Sequence, residues 1–276
     1  MRPSRLRRQR RHAGSAGGTN YTGFTVNRGG HLRPLGDSTV TLPDTSQPGD
    51  VLFSPDGRKP VGDRLATSLI DSFTVGRGGL PAAAPGSPLA AQGLGPFGSE
   101  FRPTNAAQLY VTNAHDGANA GTVSAFAAGG ALTTIAASPF RDEQIAPCWV
   151  EISHDGQYLF AVNTASGSIS SYSIASGGSL TLLTSTSVNA AATPEDARLS
   201  PDGSTLWVVD ATADAVSGFA VNRGTLTEPP HSRSDRGRTR RHRCHRRFIA
   251  REAQPSISVD PPTLRCSAKR ARRRPA

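Results

Sequence analysis

The sequence has little of several residue types, and each scarcity excludes a class of protein. Aromatic residues make up 6% of the 276 residues, and there are three cysteines and one methionine. Cys148 stands apart from Cys244 and Cys266, so the spacing indicates no disulfide framework. His242, Cys244 and His245 cluster, but no second ligand pair follows at zinc-finger spacing, and we expect neither a metal nor a cofactor. Because no apolar run reaches the roughly 18 residues of a membrane span, we expect no membrane partner.

Positive charge is also scarce in the middle of the chain. The formal net charge is +10, from 31 basic and 21 acidic residues. Residues 1–12 hold six arginines, and residues 229–276 hold fourteen arginines and Lys269. Residues 13–228 therefore carry ten basic and eighteen acidic residues. An acidic segment offers no basic face to a nucleic acid, so we expect no specific nucleic-acid binding by this part of the chain.

Gly and Pro are abundant, and they mark the turns of a repeat. Three motifs recur in phase with a period of 46 to 53 residues. The first is an apolar anchor residue that precedes a turn, at Phe53, Phe101, Ile152 and Leu199. The second is a strand-like segment after that turn, at Tyr110–Asn113 (YVTN), Phe160–Asn163 and Trp207–Asp210. The third is a segment with a central aromatic residue before a Gly-rich turn, at Phe24, Phe73, Phe126, Tyr172 and Phe219.

The repeat predicts a fold. Each unit reads as strand, Pro-Asp-Gly turn, strand, polar loop, strand, Gly turn and strand. A β-sandwich would lack this four-strand period, and leucine-rich repeats and β-helices have shorter ones. We therefore predict an all-β protein, a β-propeller of four-stranded blades with about four to five blades present and irregular basic tails.

Composition predicts three parts: a basic segment over 1–19, propeller blades over 20–228 and an Arg-rich tail over 229–276. Two explanations of the basic ends stay open, namely genuine disordered tails and segments translated out of frame. Codons for Arg241–Arg246, read one base later, would encode small and β-branched residues. A similar slip around Gly62–Arg64 would explain why this unit lacks a YVTN-like strand in the sequence as it stands.

The order of turn, YVTN strand, aromatic strand and Gly turn resembles the lactonase-like propellers. This family includes bacterial 6-phosphogluconolactonases and fungal muconate-cyclising enzymes. The resemblance covers about residues 20–228, and it implies a seven-bladed fold of which this chain holds a part. It also implies a carboxylic ester hydrolase that, in its intact form, opens a sugar or carboxy lactone, with such a lactone or sugar-derived molecule as its ligand.

One feature of the family is missing. The resemblance places an Arg-His pair ahead of an inner strand, and the matching positions hold Phe97-Gly98, Cys148-Trp149 and Glu195-Asp196. The enzymes' Glu or Arg after the YVTN motif is matched by Ala114, Thr164 or Ala211. The alternative of a non-catalytic propeller that binds a protein partner therefore stays open.

The candidate site residues lie where the predicted inner strands begin, at the mouth of the channel. We predict Glu195 and Asp196 as catalytic carboxylates, and Cys148, Trp149, Glu100 and Glu151 as substrate-binding residues with Trp149 as an apolar wall. The alternative for each is packing or solvation. Adjacent strand residues point to opposite faces, so Glu195 and Asp196 can meet one ligand only if they precede the strand.

The first residues contain arginines but no apolar segment of the kind that signal peptides have. For the chain as it stands we therefore expect a cytoplasmic location. An export signal ahead of the present first residue would change that expectation.

Overall fold

The structure is a computed structural model that describes residues 10–14, 18–76, 78–188 and 192–228, with side chains from residue 18 onward. Within these ranges the chain forms 22 β-strands and no helix. The strands make five separate antiparallel sheets in chain order, which we call blades 1 to 5. The predicted all-β propeller architecture is thereby confirmed.

The blades are successive four- or five-stranded meanders. Blade 1 contains β1 (Arg10–Gly14), β2 (Asn20–Val26), β3 (Leu32–Pro34) and β4 (Val40–Thr41). Blade 2 contains β5 (Pro48–Phe53), β6 (Pro60–Arg64), β7 (Leu69–Val75), β8 (Pro81–Ala83) and β9 (Leu89–Ala90). Blade 3 contains β10 (Pro96–Phe101), β11 (Gln108–Asn113), β12 (Thr122–Ala127), β13 (Thr133–Thr134) and β14 (Phe140–Arg141).

The last two blades have four strands each. Blade 4 contains β15 (Pro147–Ile152), β16 (Tyr158–Asn163), β17 (Ser168–Ile174) and β18 (Leu180–Ser187). Blade 5 contains β19 (Pro194–Leu199), β20 (Thr205–Asp210), β21 (Ala215–Asn222) and β22 (Thr225–Thr227). In blade 1, β1 pairs with β2 as β6 pairs with β7 in blade 2, so β1 corresponds to the second strand of the other blades.

The innermost strands of blades 2 to 5 all begin with proline, at Pro48, Pro96, Pro147 and Pro194. Proline cannot donate to a strand ladder, so it is confined to first residues, edges and bulges. A register shift follows each of these prolines and re-aims the side chains of the next two residues. These strands contact one another from blade to blade.

The predicted turns are built as the sequence indicates. Ser54, Ser153 and Ser200 each donate a hydroxyl hydrogen bond of 2.6 Å to the aspartate two residues on. The following glycines have φ of +68°, +68° and +73°. Glycine reaches this region without a steric penalty, which explains its recurrence in the motif.

The core lies between the blades. Tyr110 and Val123 of blade 3 pack against Val150 and Leu159 of blade 4. The same positions of blade 4, which include Phe160 and Ile169, pack against blade 5 residues Ala197, Leu199, Leu206, Val208 and Phe219. One face of blade 3 and one face of blade 4 are therefore each covered by the next blade, as radial stacking requires.

The expectation that blade 2 lacks a YVTN-like strand is wrong. Strand β6 runs through Gly62–Arg64, pairs with β5 and β7, and is buried along its whole length. Gly62 lies against the ring of Tyr21, where a Cβ would come within 2.5 Å of a ring carbon. The Arg64 guanidinium makes two hydrogen bonds of 2.6 Å to Asp71. Gly62 and Arg64 thus each have a defined packing or hydrogen-bonding place in blade 2.

The compact unit of the chain ends at Glu228. Residues 1–9 and 229–276 lie outside the described residues, so the predicted basic ends and the out-of-frame reading of Arg241–Arg246 stay predictions. Across the described ranges, no helix has the length and apolar character needed to cross a membrane.

Candidate functional site

Three charged side chains come together at the positions directly before the anchors Phe101, Ile152 and Leu199. These residues are Glu100 on β10, Glu151 on β15 and Arg198 on β19, one from each of three consecutive innermost strands. The Arg198 Nη1 atom lies 2.9 Å from Glu151 Oε2 and 3.8 Å from Glu100 Oε2. We call Glu100, Glu151 and Arg198 the inner-strand cluster.

Glu151 is the fixed member of the inner-strand cluster. Its side chain is buried, and its two carboxylate oxygens are both occupied. Oε1 accepts the backbone N–H of Leu199 at 3.0 Å, and Oε2 accepts from Arg198. Burial raises the pKa of Glu151, and these two interactions oppose that rise. Glu151 therefore orients Arg198 and ties blade 4 to blade 5.

Glu100 is the carboxyl group of the inner-strand cluster that remains accessible to a ligand. Its side chain keeps 21% of its exposure, and its contact with Arg198 is longer than a hydrogen bond. Burial raises the pKa of Glu100 to about 8, aided by the negative charge of Glu151 and opposed by Arg198. A carboxyl group that ionises near neutral pH can exchange protons with a substrate, which suits general acid–base chemistry.

Arg198 supplies the positive charge. Its side chain is 65% exposed, so most of its five N–H donors remain free for a ligand. A guanidinium held by one carboxylate can bind a carbonyl oxygen, a carboxylate or a phosphate through its outer edge. The inner-strand cluster therefore combines a fixed cation with a carboxyl group of raised pKa.

The other predicted substrate-binding residues, Cys148 and Trp149, lie on β15 directly after Pro147, where the register of the strand shifts. Cys148 is buried with 2% exposure. Trp149 is half-buried and packs against the cluster between blades 4 and 5. Its indole Nε1 is buried, and within the described residues it has no hydrogen-bond partner. Protein atoms thus cover most of both side chains, and their assignment as substrate-binding residues stays a prediction.

The predicted catalytic pair lies on a strand. Glu195 and Asp196 both fall within β19, so the requirement that they precede the strand is not met. Glu195 is half-buried and Asp196 is exposed. Partial burial raises the pKa of each carboxyl group. A register shift lies between Pro194 and Asp196, so simple strand alternation does not fix the directions of these two side chains, and their catalytic assignment stays a prediction.

Sequence reasoning missed two further acids beside the inner strands. Asp50 on β5 accepts hydrogen bonds from the Ser99 backbone N–H at 3.2 Å and the Ser99 hydroxyl at 2.9 Å. Asp63 on β6 is fully buried, and burial together with the charges of Asp50 and Asp71 raises its pKa well above the usual value. Among the described residues, no group of three or more His, Cys, Asp or Glu side chains is placed to hold a metal ion.

Arg198 was also missed, although a signal was present. Glu100, Glu151 and Arg198 occupy the same position of the repeat, directly before the anchors Phe101, Ile152 and Leu199. Comparing the charge at that one position across the units would have identified the inner-strand cluster. The family's Arg-His motif would lie three and four residues before the anchors, where this chain has no Arg-His pair.

Comparison with known proteins defines the class. The family model described as lactonase, 7-bladed beta-propeller matches residues 101–249, more than half of the chain. The chain therefore belongs to the lactonase seven-bladed β-propeller family. No curated protein matches the chain in a sequence search.

Solved structures share the fold at low identity. A 6-phosphogluconolactonase-like protein of Bacteroides uniformis is 21% identical with a TM-score of 0.63, over 76% of this chain and 63% of that one. A Lactobacillus plantarum protein is 19% identical with a TM-score of 0.64, over 76% and 64%. The periplasmic gluconolactonase PpgL of Pseudomonas aeruginosa is 20% identical with a TM-score of 0.61, over 76% and 62%. The chain thus spans less than two thirds of the length of these relatives.

Proposed function

We propose that this protein hydrolyses a sugar-derived lactone at the inner-strand cluster. The observation that carries the proposal is the placement of Arg198 between a fixed carboxylate, Glu151, and a carboxyl group with a pKa near 8, Glu100. Family membership supports the reaction class. Two relatives described as a 6-phosphogluconolactonase and a gluconolactonase support an aldonolactone as the substrate class.

The first step of the proposed reaction uses Glu100 as a general base. The lactone carbonyl oxygen lies against the free edge of Arg198, which stabilises the negative charge that develops there. The ionised carboxylate of Glu100 accepts a proton from a water molecule as the water oxygen bonds to the carbonyl carbon. The product of this step is a tetrahedral oxyanion, with the transferred proton on Glu100.

The second step opens the ring. The bond between the carbonyl carbon and the ring oxygen breaks, and protonated Glu100 returns its proton to that oxygen. The sum of both steps is one lactone and one water giving one hydroxy acid, and Glu100 ends ionised as it began. Glu151 takes no part in proton transfer, because both of its oxygens are occupied, and it acts as a positioning residue for Arg198.

The test is a comparison of lactone hydrolysis rates above the spontaneous rate. Glucono-δ-lactone and 6-phosphoglucono-δ-lactone are the substrates, and proton release is followed at constant pH. Glu100→Gln keeps the shape and removes the base, so we expect a loss of about 100-fold or more in kcat. Arg198→Met is expected to lower kcat/KM by a similar factor, because the developing oxyanion loses its cation.

Glu143→Gln is the matched control. Glu143 is exposed in the loop between β14 and β15, away from the inner-strand cluster, and this variant should retain the wild-type rate. Wild-type protein that is folded yet gives no turnover above background contradicts the proposal and favours a non-catalytic binding propeller. Equal rates for Glu100→Gln and wild type would move the chemistry away from the inner-strand cluster.

A further inference from the structure

The junctions between consecutive blades repeat one pair of backbone carbonyl groups. Ala128, Ile174 and Val221 are equivalent in blades 3, 4 and 5, because each donates its backbone N–H to the residue directly before the second strand of its own blade. The pair in each blade consists of this residue's carbonyl and the next one: Ala128 and Gly129, Ile174 and Ala175, and Val221 and Asn222. We call these the carbonyl pairs of blades 3, 4 and 5.

In two junctions the preceding blade places a cation on the carbonyl pair. Lys59 of blade 2 donates from Nζ to the two carbonyls of the blade 3 pair at 2.5 and 3.1 Å. Arg102 of blade 3 donates from Nη2 and Nη1 to those of the blade 4 pair at 3.4 and 2.8 Å. Its Nε also donates to the Gly156 carbonyl at 2.7 Å. Two side chains from different positions of the repeat thus supply the same acceptors with a positive charge.

Among the described residues, the junction between blades 4 and 5 has no such cation. Counted from the anchors, Ser153 stands at the position of Arg102. By the backbone bonds of the preceding residues, Tyr158 stands at the position of Lys59. No side chain of the described ranges donates a hydrogen bond to the blade 5 pair. The repeat therefore keeps the acceptors here and lacks the donor.

An open groove lies at this place. Its volume is about 420 Å³, and Tyr158, Gly203 and Val221 are among the residues that line it. Gly203 is the counterpart of Gly156, and its carbonyl accepts no hydrogen bond from the part of the chain that the structure describes. The groove thus lies where Arg102 lies one junction earlier, and it is wide enough for a small molecule.

The charges around the groove favour a positive ligand. Asp155 and Asp202 line it, and each uses Oδ1 to accept a serine hydroxyl of its own turn at 2.6 Å. Within the described residues, their Oδ2 atoms accept no hydrogen bond. Arg223 also lines the groove, and the two carboxylates outnumber it. A carboxylate or phosphate ligand would meet these two negative charges, whereas a cation would be attracted by them.

We propose that the groove between blades 4 and 5 binds a small organic cation, an alkylguanidinium or alkylammonium ion. Its N–H groups donate to the blade 5 carbonyl pair and to the Gly203 carbonyl, as Lys59 and Arg102 do for the equivalent acceptors of the earlier junctions. Asp155 and Asp202 add charge attraction from the rim. The groove shares no residue with the inner-strand cluster, so this binding is separate from the proposed hydrolysis.

The experiment is a ligand-observed NMR titration of the full chain with three probes of similar shape. Butylguanidinium and butylammonium carry the charge, and butylurea is the neutral analogue of the first. We expect both cations to bind saturably, and butylurea to bind about tenfold more weakly or worse, because its hydrogen bonds are not charge-assisted.

Charge variants locate the binding. The double variant Asp155→Asn, Asp202→Asn keeps the Oδ1 acceptors of both turns and removes both charges, so we expect the Kd of butylguanidinium to rise about fivefold or more. Arg223→Gln removes the opposing charge and should lower that Kd. Asp56→Asn is the matched control, because Asp56 accepts the same 2.6 Å serine hydrogen bond in a blade 2 turn outside the groove, and its Kd should equal that of the wild type.

A further variant supplies the missing cation from within the chain. Tyr158→Lys repeats the arrangement of Lys59, so its ammonium group should occupy the blade 5 pair and abolish binding of both cations. Tyr158→Met has a side chain of similar length without charge and should still bind them. Thermal unfolding of both variants establishes that they are folded.

Three results would overturn the proposal. Butylurea that binds as tightly as butylguanidinium would show that charge is not recognised. An equal rise in Kd for Asp56→Asn and for the double variant would reduce the binding to general attraction of cations to acidic surface. Folded Tyr158→Lys that binds as the wild type does would place the ligand away from the blade 5 carbonyl pair.

Discussion

At the scale of single residues, one position of the repeat shows how sequence changes are compensated. Asn113 and Asn163 end their strands and each donate to a serine on the next strand, Ser124 and Ser170. In blade 2 the register places Arg64 and Asp71 at these positions. A neutral hydrogen bond in two blades is thus an ion pair in the third, and Tyr21 adds a 3.1 Å hydrogen bond to Asp71.

The presence of an ion pair in blade 2, where blades 3 and 4 have an Asn–Ser hydrogen bond, predicts the effect of breaking that ion pair. Arg64→Met leaves the Asp71 carboxylate, whose side chain is 4% exposed, without its cation. An uncompensated buried charge costs about 3–5 kcal/mol, and we expect that loss in the free energy of unfolding measured by urea titration. The double variant Arg64→Asn, Asp71→Ser installs the pair found in blades 3 and 4 and should be more stable than Arg64→Met. A double variant that is the less stable of the two would contradict this interpretation.

Asp63 predicts a pH dependence of stability. Its pKa in the folded chain lies well above that in the unfolded chain, because burial and the nearby Asp50 and Asp71 disfavour the charged form, with Ser99 offsetting part of the rise. The folded state then binds more protons, so stability falls as pH rises from about 4 toward the folded pKa. Asp63→Asn removes this slope. Denaturant titrations between mildly acidic and mildly basic pH should show a smaller loss for the variant, and parallel slopes would exclude Asp63 as the source.

At the scale of elements, the turns differ in what surrounds them. Gly57 and Gly156 hold the same place in their turns, each with φ of +68°. A Cβ on Gly57 would meet open space, whereas one on Gly156 would meet the Thr104 hydroxyl and lie 3.1 Å from Arg102 Nε. The Arg102 Nε also donates to the Gly156 carbonyl at 2.7 Å, so this turn joins blade 3 to blade 4.

Alanine substitution should separate the two contributions. Gly57→Ala is expected to cost about 1–2 kcal/mol, from the left-handed backbone alone. Gly156→Ala should cost about 1–3 kcal/mol more, because Thr104 and Arg102 must move. Thermal and urea unfolding of both variants measure the difference. Equal losses would mean that the junction between blades 3 and 4 accommodates the extra methyl group.

Most of the element order follows from the sequence, because turns and apolar strands recur in phase. The turn at Ser54–Gly57 directly after Phe53 and the strand at Tyr110–Asn113 could both be predicted from the repeat. Strand β6 could not, because its stability depends on Tyr21 and Asp71, which lie outside its own local pattern. Glu100 and Glu151 could be predicted from their place near the channel mouth, and Arg198 from its equivalent position in the repeat, but the distances that bring the three together are seen only in the structure.

At the scale of the whole molecule, the proposed site spans three consecutive blades, because Glu100, Glu151 and Arg198 lie on blades 3, 4 and 5. Arg198 lies on blade 5, and its side chain is 65% exposed where that of Glu151, one blade earlier, is 6% exposed. The ion pair with buried Glu151 crosses the junction of blades 4 and 5, so the position of Arg198 relative to Glu100 depends on the packing of these blades.

The central claim is that Glu100 acts as the base for lactone hydrolysis, and the pH profile of kcat/KM tests it most directly. With the pKa of Glu100 at about 8, the rate should rise about tenfold per pH unit at lower pH and level off above pH 8, after subtraction of spontaneous hydrolysis. In Glu100→Gln this inflection should vanish along with most of the rate. A wild-type profile without an inflection near pH 8, or the same inflection in Glu100→Gln, would contradict the account.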